Sequence, residues 1–440
     1  MRLYPRQYIG WLEAALAASQ RLNDRRAEGI HLGHLGNAYY VLGELRRAIE
    51  FYERQLLIDR EIGYRRGEGI ALGNLGNAYH HLGEVRHAIE CQEQALAINR
   101  ELGDRRGEGG NLGNLGLAYA DLGETRRAIE FYEQYLLVAR EIGDRSGEAN
   151  ALGSLGIAYY DWGKLRRAIE FYEQQLDIDR EIGDRRGENI ALGNLGLAHA
   201  RLGEPRRAIE FYGQALAIAR EIGDRLNEGN WLGDLGMAYA DLGELRRAIE
   251  FYEQALAIAR AIGDRYNEGA WLSDLGLAYM ALDDPRRAIE FYEQALIINR
   301  QVKNRQGEGS NLGNLGEAHA ALGETHRAIE LHEQHLAIAR QVGHRYGEGN
   351  ALSNLGWAYA ALGEMNRAIE FYEQGLTIHR EIGDRRGEAN DLFSKSLALG
   401  NLGDRAQATA CAQAALDIFE QIESPRAEPV RKQLAEWNSK

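Results

Sequence analysis

AIEFYEQALAIAR, residues 248–260, recurs almost letter for letter along this chain. Closely similar stretches begin at residues 128, 168, 208, 288 and 368, so the copies are separated by 40 residues or by a multiple of 40. A fixed spacing of about 20–50 residues is typical of solenoids, in which each repeat is one supersecondary unit stacked on the next. The sequence therefore predicts a repeat array, although a length of 440 residues would otherwise suggest about three domains.

One repeat contains two helical patterns separated by glycine. Within 224–242, apolar residues recur at steps of three and four, which places them on one face of a helix. Asp224 is a suitable N-cap and Gly243 a suitable left-handed stop. The segment 244–262 has an apolar side of the same kind and ends at Gly263. We therefore expect each repeat to be a helical hairpin.

Every unit also repeats one order of small and aromatic residues. In one copy it consists of Leu75, Gly76, Ala78 and Tyr79 in the first helix, followed by Ala88, an aromatic slot and Ala95 in the second. This order resembles the tetratricopeptide repeat. Where that family often has a proline closing the second helix, this chain has arginine, for example Arg60 and Arg100. The second helix is therefore expected to continue, which accounts for 40 residues per unit rather than about 34.

A Leu-Gly-Asn motif recurs in the first helices, at 112–114 and 192–194, and within Asn-Leu-Gly-Asn at 74–77. With this motif the long repeat is similar to the Leu-Gly-Asn/Pins family of polarity adaptors, and to the arrays fused to bacterial STAND-type signalling ATPases. The resemblance implies an all-α fold. We expect a right-handed α-solenoid of about ten hairpins with flanking terminal helices.

The phase of the repeat predicts how the chain is divided. The expected parts are an N-terminal half repeat with a single helix at 1–23, nine 40-residue hairpins at 24–383, a degenerate tenth hairpin at 384–422 and a C-terminal capping helix at 423–440. The half repeat is either a cap or the cut edge of a longer protein, and we expect the second, because an array must cover its terminal apolar face.

Composition bears on partners and location. The formal charge is −14 and the pI about 5.5, so we expect neither nucleic acid nor a membrane surface as a partner. Cys91 and Cys411 have no paired spacing, which favours a reducing compartment. No apolar run approaches the roughly 20 residues of a membrane helix, and the N-terminus lacks the order of a signal peptide. We therefore expect a cytoplasmic protein.

Two charged positions recur in every unit and invite a functional interpretation. They are the arginines that begin with Arg25 and the glutamates that begin with Glu28. Positions that every unit repeats serve the unit itself, so we interpret these residues as ion pairs near the inter-helix loops that link neighbouring hairpins. Function is expected where the units differ, on the exposed face of the first helices.

The first variable row on that face is rich in amides. It consists of His34, Asn74, Asn114, Ser154, Asn194, Asp234, Asp274, Asn314 and Asn354. A side-chain amide offers a donor and an acceptor, so such a row could pair with a peptide backbone of any sequence. The alternative is that these side chains bond to neighbouring repeats and only brace the array.

Three residues further on runs a second row with an apolar middle. It consists of Asn37, Asn77, Leu117, Ile157, Leu197, Met237, Leu277, Glu317 and Trp357. Exposed apolar side chains are costly unless a partner covers them, so 117–277 is the predicted docking zone, with Asn37 and Asn77 as a polar entrance. The Leu-Gly-Asn resemblance implies a basic groove for acidic peptides, but this chain lacks the basic row. We expect a protein or peptide segment that is neutral to mildly basic with apolar anchors, and the oligomeric state stays open.

Two histidine clusters are the remaining candidates for chemistry. His80, His81 and His87 stand near Cys91, and His332 and His335 are three residues apart, one short of a zinc-protease helix. We interpret both clusters as structural and expect no metal or other cofactor. No phosphate-binding glycine loop or catalytic triad is recognisable, so we expect no enzyme. The predicted function is a non-catalytic protein-interaction scaffold, and the alternative is a sensor or assembly region of a larger STAND-type ATPase.

Overall fold

The computed structural model describes residues 5–438, and this part of the chain contains 22 α-helices and no strand. The predicted all-α array of hairpins is confirmed. Positions 1–4 and 439–440 of the predicted terminal helices lie outside the described residues. The contacts divide the chain into two compact units, Met1–Ile222 and Gly223–Lys440.

The N-terminal unit contains a single helix followed by five hairpins. Its helices are α1 (Pro5–Arg21), α2 (Arg25–Val41), α3 (Leu45–Glu61), α4 (Arg65–His81), α5 (Val85–Leu102), α6 (Arg105–Asp121), α7 (Thr125–Glu141), α8 (Arg145–Asp161), α9 (Leu165–Ile182), α10 (Arg185–Arg201) and α11 (Pro205–Ile222).

The C-terminal unit contains five hairpins followed by a single helix. Its helices are α12 (Arg225–Asp241), α13 (Leu245–Ile262), α14 (Arg265–Ala281), α15 (Pro285–Gln301), α16 (Arg305–Ala321), α17 (Thr325–Val342), α18 (Arg345–Ala361), α19 (Met365–Ile382), α20 (Arg385–Asn401), α21 (Arg405–Gln421) and α22 (Ala427–Asn438). From α2 to α21, even numbers are first helices of hairpins and odd numbers are second helices.

The residues predicted to begin and end the helices do so. The Asp224 carboxylate accepts a hydrogen bond from the Asn227 backbone N–H at 3.1 Å, which satisfies one free donor at the start of α12. Gly243, between α12 and α13, has φ of +76°, a left-handed conformation that favours glycine. The same turn chemistry recurs in most units, and it fixes the hairpin.

Within a hairpin, a glycine of the first helix lies against a buried aromatic ring of the second. A Cβ atom at Gly156 of α8 would lie 2.3 Å from the Tyr172 ring of α9, so a larger residue would push the two helices apart. Tyr172, Leu152 and Leu155 are all buried. This close approach is the packing benefit that offsets the poor helix propensity of glycine.

Neighbouring hairpins meet mainly where the second helix of one packs against the first helix of the next, and their first helices also contact each other. In the N-terminal unit α2 contacts α4, α4 contacts α6, α6 contacts α8 and α8 contacts α10, and in the C-terminal unit the series runs from α12 to α20. Comparable contacts between second helices are absent among the described residues. Within each unit the first helices therefore form the inner layer, as expected for the face that carries the variable rows.

The recurring charges form a chain of ion pairs. Glu148, at the start of α8, accepts from Arg140 of the preceding hairpin at 2.7 Å and from Arg145 of its own helix at 2.5 Å. Arg145 also pairs with Glu181 at the end of α9. The Glu148 carboxylate thus links one hairpin to the next, and its equivalents in most other repeats make the same contacts, for example Glu68 and Glu108, which confirms the structural interpretation.

Deleting one complete repeat should preserve the fold. Removing residues 144–183 joins Gly143 to Asp184, which restores the same Gly-Asp turn that the removed segment began with. Because stability in such arrays is close to a sum over repeats and their neighbours, the shortened protein should keep a cooperative melt with correspondingly less helix. Circular dichroism against temperature measures both quantities. Loss of all helical signal would contradict the nearest-neighbour picture.

Candidate functional site

The predicted apolar row lies exposed on the first helices. The exposed fractions are 45% for Leu117 and 50% for Ile157 in the N-terminal unit, and 42% for Met237, 50% for Leu277 and 51% for Trp357 in the C-terminal unit. Leu197 is half-buried. Two positions before each member, the leucine of the same helix is buried. The apolar row is therefore a surface feature separate from the core.

The polar entrance is already partly hydrogen-bonded. The Asn37 side-chain oxygen accepts from the Tyr52 hydroxyl at 2.7 Å. The Asn77 oxygen accepts from Gln92 at 2.9 Å and from the amide of Asn114 in the next repeat, also at 2.9 Å. Both asparagines therefore have their side-chain oxygens hydrogen-bonded within the array.

The amide row contains side chains that brace neighbouring repeats and side chains that make no hydrogen bond with the described residues. Asn114 donates to Asn77, and Asn354 donates to the Glu317 carboxylate at 3.0 Å, so these two side chains brace neighbouring repeats. The side chains of Asn74, Asn194 and Asn314 are half-buried and make no hydrogen bond with the described residues. Those three amides keep both a donor and an acceptor for a bound backbone.

Carboxylates in the C-terminal unit give the row an acidic character. Asp234 and Asp274 stand on α12 and α14 where other repeats have asparagine. Burial raises the pKa of each to about 7, and for Asp234 the neighbouring Asp274 carboxylate adds to the effect. A positively charged or hydrogen-bond-donating partner group would favour the ionised form of this pair.

A cavity of about 690 Å³ in the C-terminal unit lies between α16, α18 and α20. Trp357 and Asn354, both predicted from the sequence, line it. Asp391, His379 and Arg426 also line it, and sequence reasoning did not select them. The available signal was that Asp391 and His379 each occur at a position where no other repeat has the same residue.

The histidine clusters hold ordinary structural contacts. His80 lies 2.7 Å from the Asp121 carboxylate, and His87 lies 3.2 Å from Glu84. His332 and His335 are buried, and burial lowers the pKa of each to about 4, so both are neutral at pH 7. Within residues 5–438 no group of three or more His, Cys, Asp or Glu side chains is placed to hold a metal ion.

A search of the described helices finds none that is both long and apolar enough to span a membrane.

Stacked α-helical hairpins with a variable inner layer define this chain as a helical-repeat protein. The family model described as "Tetratricopeptide repeat" matches residues 27–101, 109–181, 187–261, 248–301, 267–341 and 307–381. These matches span well over half of the sequence, so the chain belongs to the tetratricopeptide repeat family. Arrays of this family are protein-interaction scaffolds that bind protein or peptide partners, and they are generally not enzymes.

Several solved structures share the fold. A Signal Transduction ATPase with Numerous Domains (STAND) protein with a tetratricopeptide repeat sensor, from Pyrococcus horikoshii, is 15% identical with a TM-score of 0.59; the match covers 88% of this chain and 55% of that one. The apo quorum sensor NprR from B. thuringiensis is 16% identical with a TM-score of 0.55, covering 76% and 98%. Aspartyl phosphate phosphatase F from Bacillus subtilis is 13% identical with a TM-score of 0.53, covering 77% and 95%.

At these identities the neighbours establish a common architecture only, and this chain spans about half the length of the STAND protein. No curated protein sequence matches the chain.

Proposed function

We propose that this protein is a non-catalytic scaffold that binds an extended or helical segment of a partner protein along the inner face of its first helices. The observation that carries the proposal is that each unit exposes apolar side chains on its first helices: Leu117 and Ile157 in the N-terminal unit, and Met237, Leu277 and Trp357 in the C-terminal unit. Large apolar side chains exposed to water are unfavourable, and covering them with a partner is favourable. Half-buried Leu197 lies in the same register.

The amide row supports the same proposal, because it provides backbone recognition beside the apolar anchors. Asn74, Asn194 and Asn314 have side-chain amides that are free to pair with peptide N–H and C=O groups. Hydrogen bonds between these amides and a peptide backbone depend little on the partner's sequence. The apolar anchors and the charge of the site therefore determine which partner binds.

Charge favours a neutral to mildly basic segment. Asp234, Asp274 and Glu317 face the inner layer of the C-terminal unit, and the whole chain has a formal charge of −14. An acidic segment would meet like charges there, which opposes association. We further propose a cytoplasmic location, because Cys91 and Cys411 are both unpaired thiols.

The test compares two aspartate substitutions in one hairpin. Leu277→Asp places a charge on the first helix α14, and Ile297→Asp places one on the second helix α15; the two side chains are 50% and 54% exposed. Proteins captured from a lysate by the wild type should be captured about 10-fold or more weakly by Leu277→Asp, since truncating or charging an apolar anchor commonly costs more than 1 kcal/mol. Quantitative mass spectrometry of the captured proteins measures the ratio.

Ile297→Asp is the matched control, because its exposure is similar and it lies outside the inner layer. It should capture the same proteins as the wild type. Circular dichroism should give the same helical content and melting temperature for all three proteins, since neither side chain belongs to the core. Equal capture by both variants, or equal loss by both, would refute the assignment of the binding face.

A second candidate function is the sensor or assembly region of a larger STAND-type ATPase. The observation favouring it is that 88% of this chain aligns with a STAND protein that carries a tetratricopeptide repeat sensor. Transcript sequencing tests this alternative. A reading frame that continues into a Walker-type phosphate-binding loop would support it, and a reading frame without such a loop would contradict it.

A further inference from the structure

The cavity of about 690 Å³ in the C-terminal unit is lined by three first helices and by Arg426. Its volume lies within the range of about 300–1,000 Å³ that small-ligand sites occupy. Glu317 of α16, Trp357 of α18 and Asp391 of α20 line it, together with buried rings from the second helices α17 and α19. The cavity therefore adjoins the last anchor of the proposed binding face.

A buried carboxylate oxygen in this cavity has no hydrogen-bond partner. The Asp391 side chain is 2% exposed, and its Oδ2 atom finds no donor within the described residues. Nε2 of His379 is 3.8 Å away. The Ser353 hydroxyl donates to the Gly349 carbonyl at 3.0 Å, and it only partly offsets the rise that burial causes in the pKa of Asp391. An unsatisfied buried acceptor is costly, and such a group calls for an occupant that donates a proton or carries positive charge.

The other ionisable groups that line the cavity do not satisfy the unpaired oxygen of Asp391. His332 stays neutral at pH 7 because burial lowers its pKa to about 4, and burial also lowers the pKa of His379 although Asp384 partly offsets this. Arg426 donates to the Asn390 oxygen at 2.7 Å. With Glu317 and Asp391 both acidic, the cavity suits a cation.

Trp357 indicates the shape of that cation. Its ring is 51% exposed and lines the cavity beside the Asn354 amide. An aromatic face stabilises an aliphatic stem by contact and a cationic head by its quadrupole. The lining thus combines an apolar wall, an amide and a buried acceptor without a donor, which together match a long side chain that ends in positive charge.

We propose that this cavity receives an arginine or lysine side chain of the bound segment, with the cation at Asp391, the stem against Trp357, and Glu317 adding negative charge to the same lining. The inference rests on the proposed scaffold function, which supplies the segment. It adds a sequence requirement to that function: a basic residue at the end of the segment that reaches α18 and α20.

The test uses two fluorescent nine-residue peptides of alanine with a single central residue, arginine in one and citrulline in the other. Citrulline has nearly the same shape and no charge. At pH 8, above the pKa of about 7 to which burial raises Asp391, the wild type should bind the arginine peptide about 10-fold or more tightly in fluorescence anisotropy. Equal affinity, or no binding of either peptide, would overturn the inference.

Asp391→Asn keeps the shape of the side chain and removes its charge. In this variant the preference for arginine over citrulline should fall to about 2-fold or less. Asp179→Asn is the matched control, because Asp179 is equally buried but accepts a hydrogen bond from Gln175 in the N-terminal unit. The control should keep the full preference, and an unchanged preference in Asp391→Asn would overturn the inference. Glu317→Gln is a second test, because Glu317 is exposed and its substitution does not disturb the core. This variant should also reduce the preference for arginine over citrulline.

N-acetylarginine amide separates a bound segment from a free small cation. If a segment is the ligand, the nine-residue peptide should bind more tightly than this single residue, because the amide row contacts the backbone. Equal or tighter binding of the single residue would overturn the assignment to a segment. Loss of partner capture in Leu277→Asp together with no preference for arginine would leave the scaffold function standing and reject only the basic anchor.

Discussion

Leu115→Ala should lower the free energy of unfolding of its region by about 2–5 kcal/mol, whereas Leu117→Ala should change it by less than about 1 kcal/mol. The two leucines lie two residues apart on α6. Leu115 is fully buried and packs in a core cluster with Leu152 and Tyr132, whereas Leu117 is 45% exposed. Truncating Leu115 removes buried methyl groups and leaves a cavity, but truncating Leu117 removes groups that water already contacts.

Local hydrogen exchange across α6, α7 and α8 is the appropriate measurement, because a repeat array need not unfold in one step. Urea unfolding followed by circular dichroism gives the accompanying global value. Leu117→Ala has a second expected result, a weaker capture of partner proteins, which Leu115→Ala shares only if the region unfolds. Similar stability losses in the two variants would mean that the alternation between core and surface on the first helices is wrong.

The helical hairpins could be predicted from sequence because their determinants are local and repeated. An aspartate or asparagine followed by a first helix, and a glycine in a left-handed turn after it, specify both ends of the element without reference to distant residues. Asp224 and Gly243 illustrate this, and both were assigned correctly. The mid-helix glycines, such as Gly156, recur in the same way, and their packing against an aromatic ring of the second helix offsets the cost of glycine in a helix.

Which asparagines of the amide row hydrogen-bond to a neighbouring repeat could not be predicted, because this depends on the side chain that the neighbouring repeat has nearby. Asn114 donates to Asn77, and Asn354 to Glu317. For Asn74 the corresponding residue is Asn37, whose side-chain oxygen accepts from the Tyr52 hydroxyl instead. Asn194 faces the same position of the preceding repeat, but there the residue is Ile157, which accepts no hydrogen bond. The pairing crosses 37 residues of chain, and a pattern within one repeat contains no information about it.

The cavity was missed for a related reason. His379 belongs to the ninth hairpin and Asp391 to the degenerate tenth, so their juxtaposition could be recognised only once α19 and α20 were packed together. Arg426 comes from the turn before α22, outside the repeat pattern altogether. Irregular positions at the end of an array are where residues from different elements converge, and periodicity gives no guide to them.

Glu148→Gln should destabilise the protein by about 1–3 kcal/mol at pH 7, because it weakens two charge-assisted hydrogen bonds to a carboxylate that is 9% exposed. The partner arginines are half-exposed to solvent, so the value should lie toward the lower end of this range. Glu181→Gln is the matched control: Glu181 also pairs with Arg145, but it is 58% exposed, and its loss should cost less than about 1 kcal/mol.

The effect of Glu148→Gln should also depend on pH, and the sign follows from the pKa. Burial by itself raises the pKa of Glu148, but hydrogen bonds from Arg140 and Arg145 outweigh it and hold the pKa below its ordinary value of 4.5. A carboxyl whose pKa is lower in the folded state contributes stability above its unfolded pKa and loses it as the pH falls through the folded pKa. The difference between wild type and Glu148→Gln should therefore be constant from pH 7 down to about pH 5 and shrink below that. Urea unfolding at a series of pH values measures this difference.

Because Glu68, Glu188 and Glu348 have pKa values lowered by equivalent arginine pairs, the wild-type array should lose stability in the same acidic window. A difference that grew on acidification would show that the carboxylate is not held by these ion pairs.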